Sequence, residues 1–255
     1  LLPANENQPL LKVPIAPPDG RERGVTDGIY ARDEVVAGIR QAAELLEAAG
    51  PDRVITIGGS CIVSLASFDY LHGLYENVGM LWIDAHPDVS SAKDGYPYAH
   101  AMVLGSLMGR GESALSDLIK NRKFKADEIL YIGLQELHDY QKKFLKDMHV
   151  DYSVQTEALL SDHALRRFLH RFDHMLVHLD IDVLDASLFH STYFANKDLA
   201  GDGSGGGRMT LEELSGLLDC VTANADVVGF TIAEYLPFDA HRLRDVLAGV
   251  DLFHG

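Results

Sequence analysis

Leu81-Trp82-Ile83-Asp84-Ala85-His86-Pro87-Asp88 joins an apolar run to three ligand-type side chains spaced two apart. On an extended chain alternate side chains share a face, so Asp84, His86 and Asp88 can point the same way. Pro87 cannot donate to a strand ladder, which places the strand end before it and Asp88 on a loop. The run His178-Leu179-Asp180-Ile181-Asp182-Val183-Leu184-Asp185 repeats the arrangement, with Asp180 and Asp182 closing an apolar stretch. Gly229-Phe230-Thr231-Ile232-Ala233-Glu234 ends a third such stretch on a carboxylate. Continuous apolar strands of this kind, separated by helical segments, describe an α/β fold whose mostly parallel sheet is covered on both faces. Ligands of such sheets collect at the carboxyl ends of the strands, where these residues lie.

Working outward, the same alternation runs along the chain. Leu1–Asp27 carries five of the nine prolines and reads as an irregular arm. Apolar spacing of three and four predicts helices over Tyr30–Ala49, Cys61–Leu74, Ala99–Gly109, Glu112–Asn121, His138–Asp147, Glu157–Arg171, Thr210–Thr222 and Ala240–Val250. Strands are predicted at Arg53–Ile57, Gly79–Asp84, Glu128–Ile132, His149–Tyr152 (a weak one), Met175–Asp180 and Val227–Ala233. Gly201–Gly207 lacks the Lys-Ser/Thr ending of a phosphate-binding loop and reads as a mobile flap between a strand and a helix. No repeat or linker interrupts the pattern, so residues 1–255 are expected to form one domain.

Composition narrows the function. The chain has 255 residues, 47% hydrophobic and 24% charged, which is enough for a sizeable core and argues against wholesale disorder. Its 38 acidic and 22 basic residues leave a formal charge of −16. A nucleic-acid binder or an anionic-membrane binder needs a basic surface, so neither partner is expected. No apolar run approaches the roughly 20 residues that span a bilayer. No signal-peptide pattern opens the chain, which begins at Leu1 rather than Met, so an upstream piece is allowed for. Two cysteines without framework spacing, Cys61 and Cys220, suit a reducing cytoplasm better than secretion.

Asp-x-His-x-Asp offers hard oxygens and one imidazole, a donor set for Mn²⁺, Fe²⁺ or Zn²⁺. Clustered carboxylates repel one another unless cations lie between them. An acidic loop or Asp helix caps would explain one such pair, but two clusters, each closing an apolar strand, point to a shared metal site. Glu234 alone is evenly balanced between a functional and a solvated carboxylate. His72, His138, His163, His170 and His254 read as surface or helix-face histidines, Cys220 as core, and Trp82 as core.

The sequence resembles the ureohydrolase family of arginases, agmatinases and formimidoylglutamases. Asp84-Ala85-His86-Pro87-Asp88 is similar to that family's Asp-Ala-His-x-Asp segment, and His178–Asp185 to its Ser-x-Asp-x-Asp-x-x-Asp segment. His100-Ala101-Met102 resembles His-Gly-Met, and Glu234-Tyr235-Leu236-Pro237 resembles Glu-x-x-Pro, in the same order along the chain. The resemblance implies a three-layer α/β/α sandwich holding two divalent ions, Mn²⁺ above all, with Asp84 and Asp180 bridging them. It further implies Asp88 and the residue at position 61 on one ion, and His86 and Asp182 on the other. A metal-bridging hydroxide would attack a guanidino-type carbon, releasing urea or a related amide. Asp88 would take and return a proton, His100 would shuttle protons, and Glu234 would hold the guanidinium. The resemblance also implies a homo-oligomer and a small guanidino-type substrate.

This chain departs from the family at several points. Ile57-Gly58-Gly59-Ser60-Cys61 stands where the family has Gly-Gly-Asp-His, so Cys61 replaces the first histidine ligand. Three readings of Cys61 are open: a thiolate ligand favouring Zn²⁺, Co²⁺ or Fe²⁺, a nearby thiol beside a weakly held ion, or a small buried residue without a role. Asp94-Gly95-Tyr96-Pro97-Tyr98-Ala99 replaces the Ser-Gly-Asn run by which arginases hold the amino-acid head group, and Phe189–Asn196 and Gly133–Glu136 also differ. A branch of the family with Cys at this position hydrolyses N-hydroxy-arginine, so the substrate stays open among guanidino compounds. The rival from another class is a catalytically degenerate relative with a binding or regulatory role. A deacetylase-like use of the fold ranks last, because its tandem His-His pair is missing.

Overall fold

A computed structural model describes residues 8–17, 19–196 and 205–254. A two-residue ribbon, β1 (Val25–Thr26) against β2 (Ile29–Tyr30), precedes α1 (Arg32–Ala49). The remaining strands are β3 (Val54–Ile57), β4 (Val78–Ile83), β5 (Ile129–Ile132), β6 (His174–Asp180) and β7 (Asp226–Ala233). The remaining helices are α2 (Ser64–Leu74), α3 (Val103–Leu107), α4 (Ser113–Ser116), α5 (Asp139–Asp147), α6 (Asp162–Leu169), α7 (Leu211–Asn224) and α8 (Ala240–Leu247).

The five strands from β3 onward form one parallel sheet in the order β3-β7-β6-β4-β5. Alternation along each strand divides the core in two. Met80 and Trp82 of β4 and Leu176 of β6 pack with Ile39 of α1, Phe68 of α2, Leu104 of α3 and Leu145 of α5. Leu81 and Ile83, with Val177 and Leu179, pack with Leu165 of α6, Leu218 of α7 and Leu243 of α8. Burial on both faces is why β4 and β6 read as unbroken apolar runs, and the outcome is the covered parallel sheet the pattern predicts and the three-layer sandwich the resemblance implied. Among the described residues no helix is long and apolar enough to cross a membrane.

The connections explain where a site can form. After β4 the chain passes to its neighbour β5 on one side, and after β6 to its neighbour β7 on the other. Loops that diverge in this way leave a crevice beyond the strand ends between β4 and β6. Ile83 and Leu179 are register partners, so the next residues, Asp84 and Asp180, flank that crevice.

Several local expectations need correction. His149–Tyr152 forms no strand: Val150 is buried, but the segment runs straight off the α5 end, with its N–H bonded to Leu145 O. The helix expected at Glu157–Arg171 spans only Asp162–Leu169, because Ser161 caps it by accepting from Ala164 N at 3.3 Å. Within the Leu1–Asp27 arm, Val25–Thr26 is paired, and residues 1–7 and 18 lie outside the described residues. His72 lies on a helix but is fully buried, stacked on Phe124 with ring centroids 3.6 Å apart. Cys220 is buried on α7 as expected.

Of the Gly201–Gly207 flap, residues 201–204 lie outside the described residues. Gly207 itself is pinned: its N–H donates to Asp182 O at 2.6 Å, and a Cβ there would stand 2.0 Å from Val183 O. Backbone cannot yield as a flexible side chain does, so Gly207→Ala is expected to destabilise the protein by about 3 kcal/mol. It should also loosen the turn that carries Asp182. Urea unfolding measures this, and an unchanged midpoint would contradict the close approach.

Candidate metal centre

Four separate segments deliver the site. After β3, Gly58-Gly59-Ser60 leads into a tight turn, Cys61–Val63, that places the Cys61 side chain in the interior. Asp84 follows β4 directly, and Asp180 is the last residue of β6. Glu234 follows β7 with φ +57°, and Asp88 sits beyond the β4 end with φ +50°. Left-handed conformations cost non-glycine residues roughly 1–3 kcal/mol and cluster where function demands a particular side-chain direction. Asp88 is held there by its own carbonyl, which accepts from Leu104 N and Gly105 N at 3.0 and 3.2 Å.

Among the described residues three donor groups result, each with its ligand atoms within 4.8 Å of one another: Cys61, Asp84, His178 and Asp180; Asp84, His86 and Asp182; and Asp180, Asp182 and Glu234. Six of the eight residues singled out in the sequence therefore converge. Asp88 falls in none of the three groups but is buried beside them, and its Oδ2 has no hydrogen-bond partner. His100 also lies outside them, half-buried in the turn Ala99–Met102 that packs on Cys61–Val63. Its Nε2 is 3.2 Å from the Tyr96 hydroxyl and its ring is parallel to that of Tyr98, so the stretch that departs from the family supplies its surroundings.

Trp82 is core, yet its Nε1–H also donates to Asp84 Oδ2 at 3.1 Å. Asp84 Oδ1 accepts from His86 N at 2.6 Å, and Asp180 Oδ1 accepts from Asp182 N at 2.7 Å. The Cys61 thiol donates to Asp180 Oδ2 at 2.8 Å, and His86 Nδ1 lies 2.9 Å from Asp182 Oδ2. His178 was not singled out in the sequence. Its signal was there, since it stands two residues before Asp180 and so shares its face.

Burial raises Asp180 well above the ordinary carboxylate range, and the negative charges of Asp182, Glu234 and Asp84 add to it. Burial likewise raises Asp88, with Asp84 adding to it. It raises Asp182 too, against the pull of His86. Asp84 runs the other way: burial opposes its charge, but His178 and His86 beside it hold the carboxyl low. His86 is raised because Asp182 and Asp84 outweigh its burial, whereas burial keeps His178 low. The Cys61 thiol is pushed up by burial and then by Asp180, Asp88 and Asp84.

The donor set fits divalent cations. Among the described residues, no lysine or arginine pairs with Asp84, Asp88, Asp180 or Asp182; only His86 and His178 come within 4 Å. Uncompensated buried carboxylates cost several kcal/mol each. Asp88 Oδ2, His86 Nε2 and His178 Nε2 are all buried without hydrogen-bond partners, which is how ligand atoms stand before an ion joins them.

A sequence profile described as the arginase family matches residues 22–254. An arginase of Bacillus caldovelox is 28% identical over 174 residues, 61% of this chain and 58% of that one. An arginase of Saccharomyces cerevisiae is 24% identical over 215 residues, 76% of this chain and 61% of that one. This chain thus spans less than two thirds of the length of these relatives. Among solved structures, Bacillus caldovelox arginase superposes with a TM-score of 0.78 at 21% identity, over 95% of this chain and 82% of that one. The formimidoylglutamase of Bacillus subtilis gives 0.61 at 17% identity, over 84% and 67%. At such identities the likeness speaks for the fold.

Proposed function

The chain belongs to the arginase family, and from that premise we propose that it is a metal-dependent hydrolase of guanidino-type C–N bonds. The observation that carries the reading is the meeting of carboxylate, imidazole and thiol donors from separate strand ends in one buried crevice. Cys61, Asp84, His86, Asp88, Asp180 and Asp182 would hold two divalent ions, with Mn²⁺ suggested by the family and Zn²⁺, Co²⁺ or Fe²⁺ by Cys61. When bound, such a pair supplies Lewis acidity and lowers the pKa of water enough to give a nucleophile near neutral pH.

The side chains do the rest. Glu234, half-buried at the β7 end, offers a carboxylate on which a guanidinium can form two parallel hydrogen bonds, presenting its carbon to the crevice. Asp88 Oδ2, free of other partners, accepts a proton from the attacking water and returns it to the departing amine. His100, bonded to Tyr96 at the half-exposed rim, exchanges protons with solvent. Water adds to the carbon, the C–N bond breaks, and urea or a related amide leaves with an amine. The two unpaired cysteines support a cytoplasmic setting, and the family supports a homo-oligomer.

The degenerate alternative has one observation in its favour, the Cys61 thiol bonded to Asp180 where the family pattern has an imidazole. A panel of arginine, agmatine, guanidinobutyrate, formiminoglutamate and N-hydroxy-arginine separates the two readings. Protein reconstituted with Mn²⁺, Zn²⁺ or Co²⁺ is expected to release urea or the corresponding amide from at least one of them. Full metal content without any turnover would favour a binding role instead.

A further inference from the structure

We propose that His178 is itself a metal donor, completing with Cys61, Asp84 and Asp180 a four-donor pocket suited to a zinc-like ion beside a harder, oxygen-rich one. The inference rests on the reading that this crevice holds metal, but not on what the protein hydrolyses.

Register puts His178 in place. It pairs across the sheet with Trp82, just as each stands two residues before an aspartate, so both lie one rung beneath the carboxylates of Asp84 and Asp180. Two contacts immobilise the ring. It stacks on the Trp82 indole at 3.7 Å between centroids and 7° between planes, and its Nδ1 is 2.8 Å from Ser64 Oγ at the start of α2. With a metal bound, Nδ1–H donated to that hydroxyl would leave Nε2 its lone pair, the arrangement by which proteins orient ligating histidines.

Nε2 is fully buried and makes no hydrogen bond. Its neighbour, Asp84 Oδ2, is 3.7 Å away, too far for one. That oxygen needs no help from His178, since Trp82 already donates to it. Two donors bound at about 2.1 Å to one tetrahedral ion stand about 3.4 Å apart, close to the spacing seen here. On the other side of the pocket the Cys61 thiol proton lies against Asp180. Entry of a dication displaces that proton to solvent, leaving a thiolate and two carboxylates around it. One sulfur, one nitrogen and two carboxylates in four-fold coordination favour Zn²⁺ or Co²⁺ over Mn²⁺, which prefers octahedral oxygen. His86 and Asp182, with oxygens of Asp84 and Asp180 shared between the two ions, are left to the second, harder position.

Cobalt reads the pocket directly, and Trp82, the single tryptophan of the chain, reports from beneath it. Metal-stripped protein titrated with Co²⁺ is expected to show sulfur-to-cobalt charge transfer, tetrahedral ligand-field bands and quenching of Trp82 emission with the first equivalent. In His178→Gly the tetrahedral bands should vanish and the first-equivalent affinity fall at least about 100-fold, and added imidazole should restore the bands. Should that variant misfold, X-ray absorption of the wild-type protein with one equivalent of Zn²⁺ decides. One sulfur near 2.3 Å together with an imidazole near 2.0 Å supports the assignment. Bands unchanged in the variant, even at weaker affinity, would mean that His178 only orients Asp84, and sulfur without imidazole would overturn the assignment equally. No substrate enters these measurements. A protein that hydrolyses no guanidine yet shows the bands leaves His178 a ligand, while turnover without them removes His178 alone.

Discussion

Asp180→Asn is expected to bring hydrolysis down by at least about a thousandfold and to strip the protein of bound metal, while leaving it folded. Asp180 belongs to two of the three donor groups, with Cys61, Asp84 and His178 on one side and Asp182 and Glu234 on the other. Among the described residues, no other single substitution, apart from one at Asp84 or Asp182, removes a donor from two groups at once. The fold should survive because the amide is isosteric and its oxygen can still accept from Asp182 N. Removing a buried charge held above the ordinary range by burial and by Asp182 also relieves repulsion. Metal-free Asp180→Asn should therefore melt no lower than the metal-free parent. Elemental analysis, urea release and a melting curve on one preparation test all three points. Turnover at full metal content in this variant would remove the basis of the hydrolase reading.

Chelation should lower the melting temperature by about 10 °C for each ion removed at pH 8, and by distinctly less at pH 5. An ion present at a thousand times its dissociation constant adds about 4 kcal/mol, and a protein of this size gains about 2–4 °C per kcal/mol. The pH dependence comes from the metal-free state. Asp180, Asp88, Asp182 and Cys61 all bind protons more tightly folded than unfolded, chiefly through burial. What the three carboxylates contribute is complete below their unfolded value of about 4 and is lost as pH rises through their folded values, whereas what Cys61 contributes stays complete up to the unfolded thiol value of about 8.5. His86, raised by Asp182 and Asp84, acts in the same sense above about 6.5. Asp84, held low by two imidazoles, and His178, lowered by burial, act oppositely. The raised groups are in the majority, so the metal-free site destabilises the protein increasingly toward alkaline pH. A dication that replaces their protons cancels that loss, and its benefit grows with pH. A stabilisation equal at both pH values, or larger at pH 5, would contradict this account.

The elements nearest the site were the easiest to read. β4 and β6 stand out because burial on both faces demands unbroken apolar runs, and both lead straight into carboxylates at a buried strand end. α7 announces itself through Thr210 and Glu213, which satisfy each other's backbone N–H groups as the sequence starts its apolar periodicity. His149–Tyr152 misled because a short run with two apolar residues packs equally well as a helix exit. His178 was overlooked for another reason. An isolated histidine within an apolar strand is ordinarily a satisfied core residue, and only the positions of Ser64, Trp82 and Asp84 leave one of its nitrogens bonded and the other buried without a hydrogen bond.

Local pattern by itself therefore determined that this chain builds a covered parallel sheet and that Asp84, His86, Asp88, Asp180 and Asp182 stand at strand ends, because period and burial act over a few neighbouring residues. The tertiary structure alone decided that β6 lies between β4 and β7, that Cys61 reaches Asp180 across 119 positions of sequence, and that His178 joins them. Strand order is set by how whole faces of helices and sheet pack together, and no short stretch of sequence carries that sum.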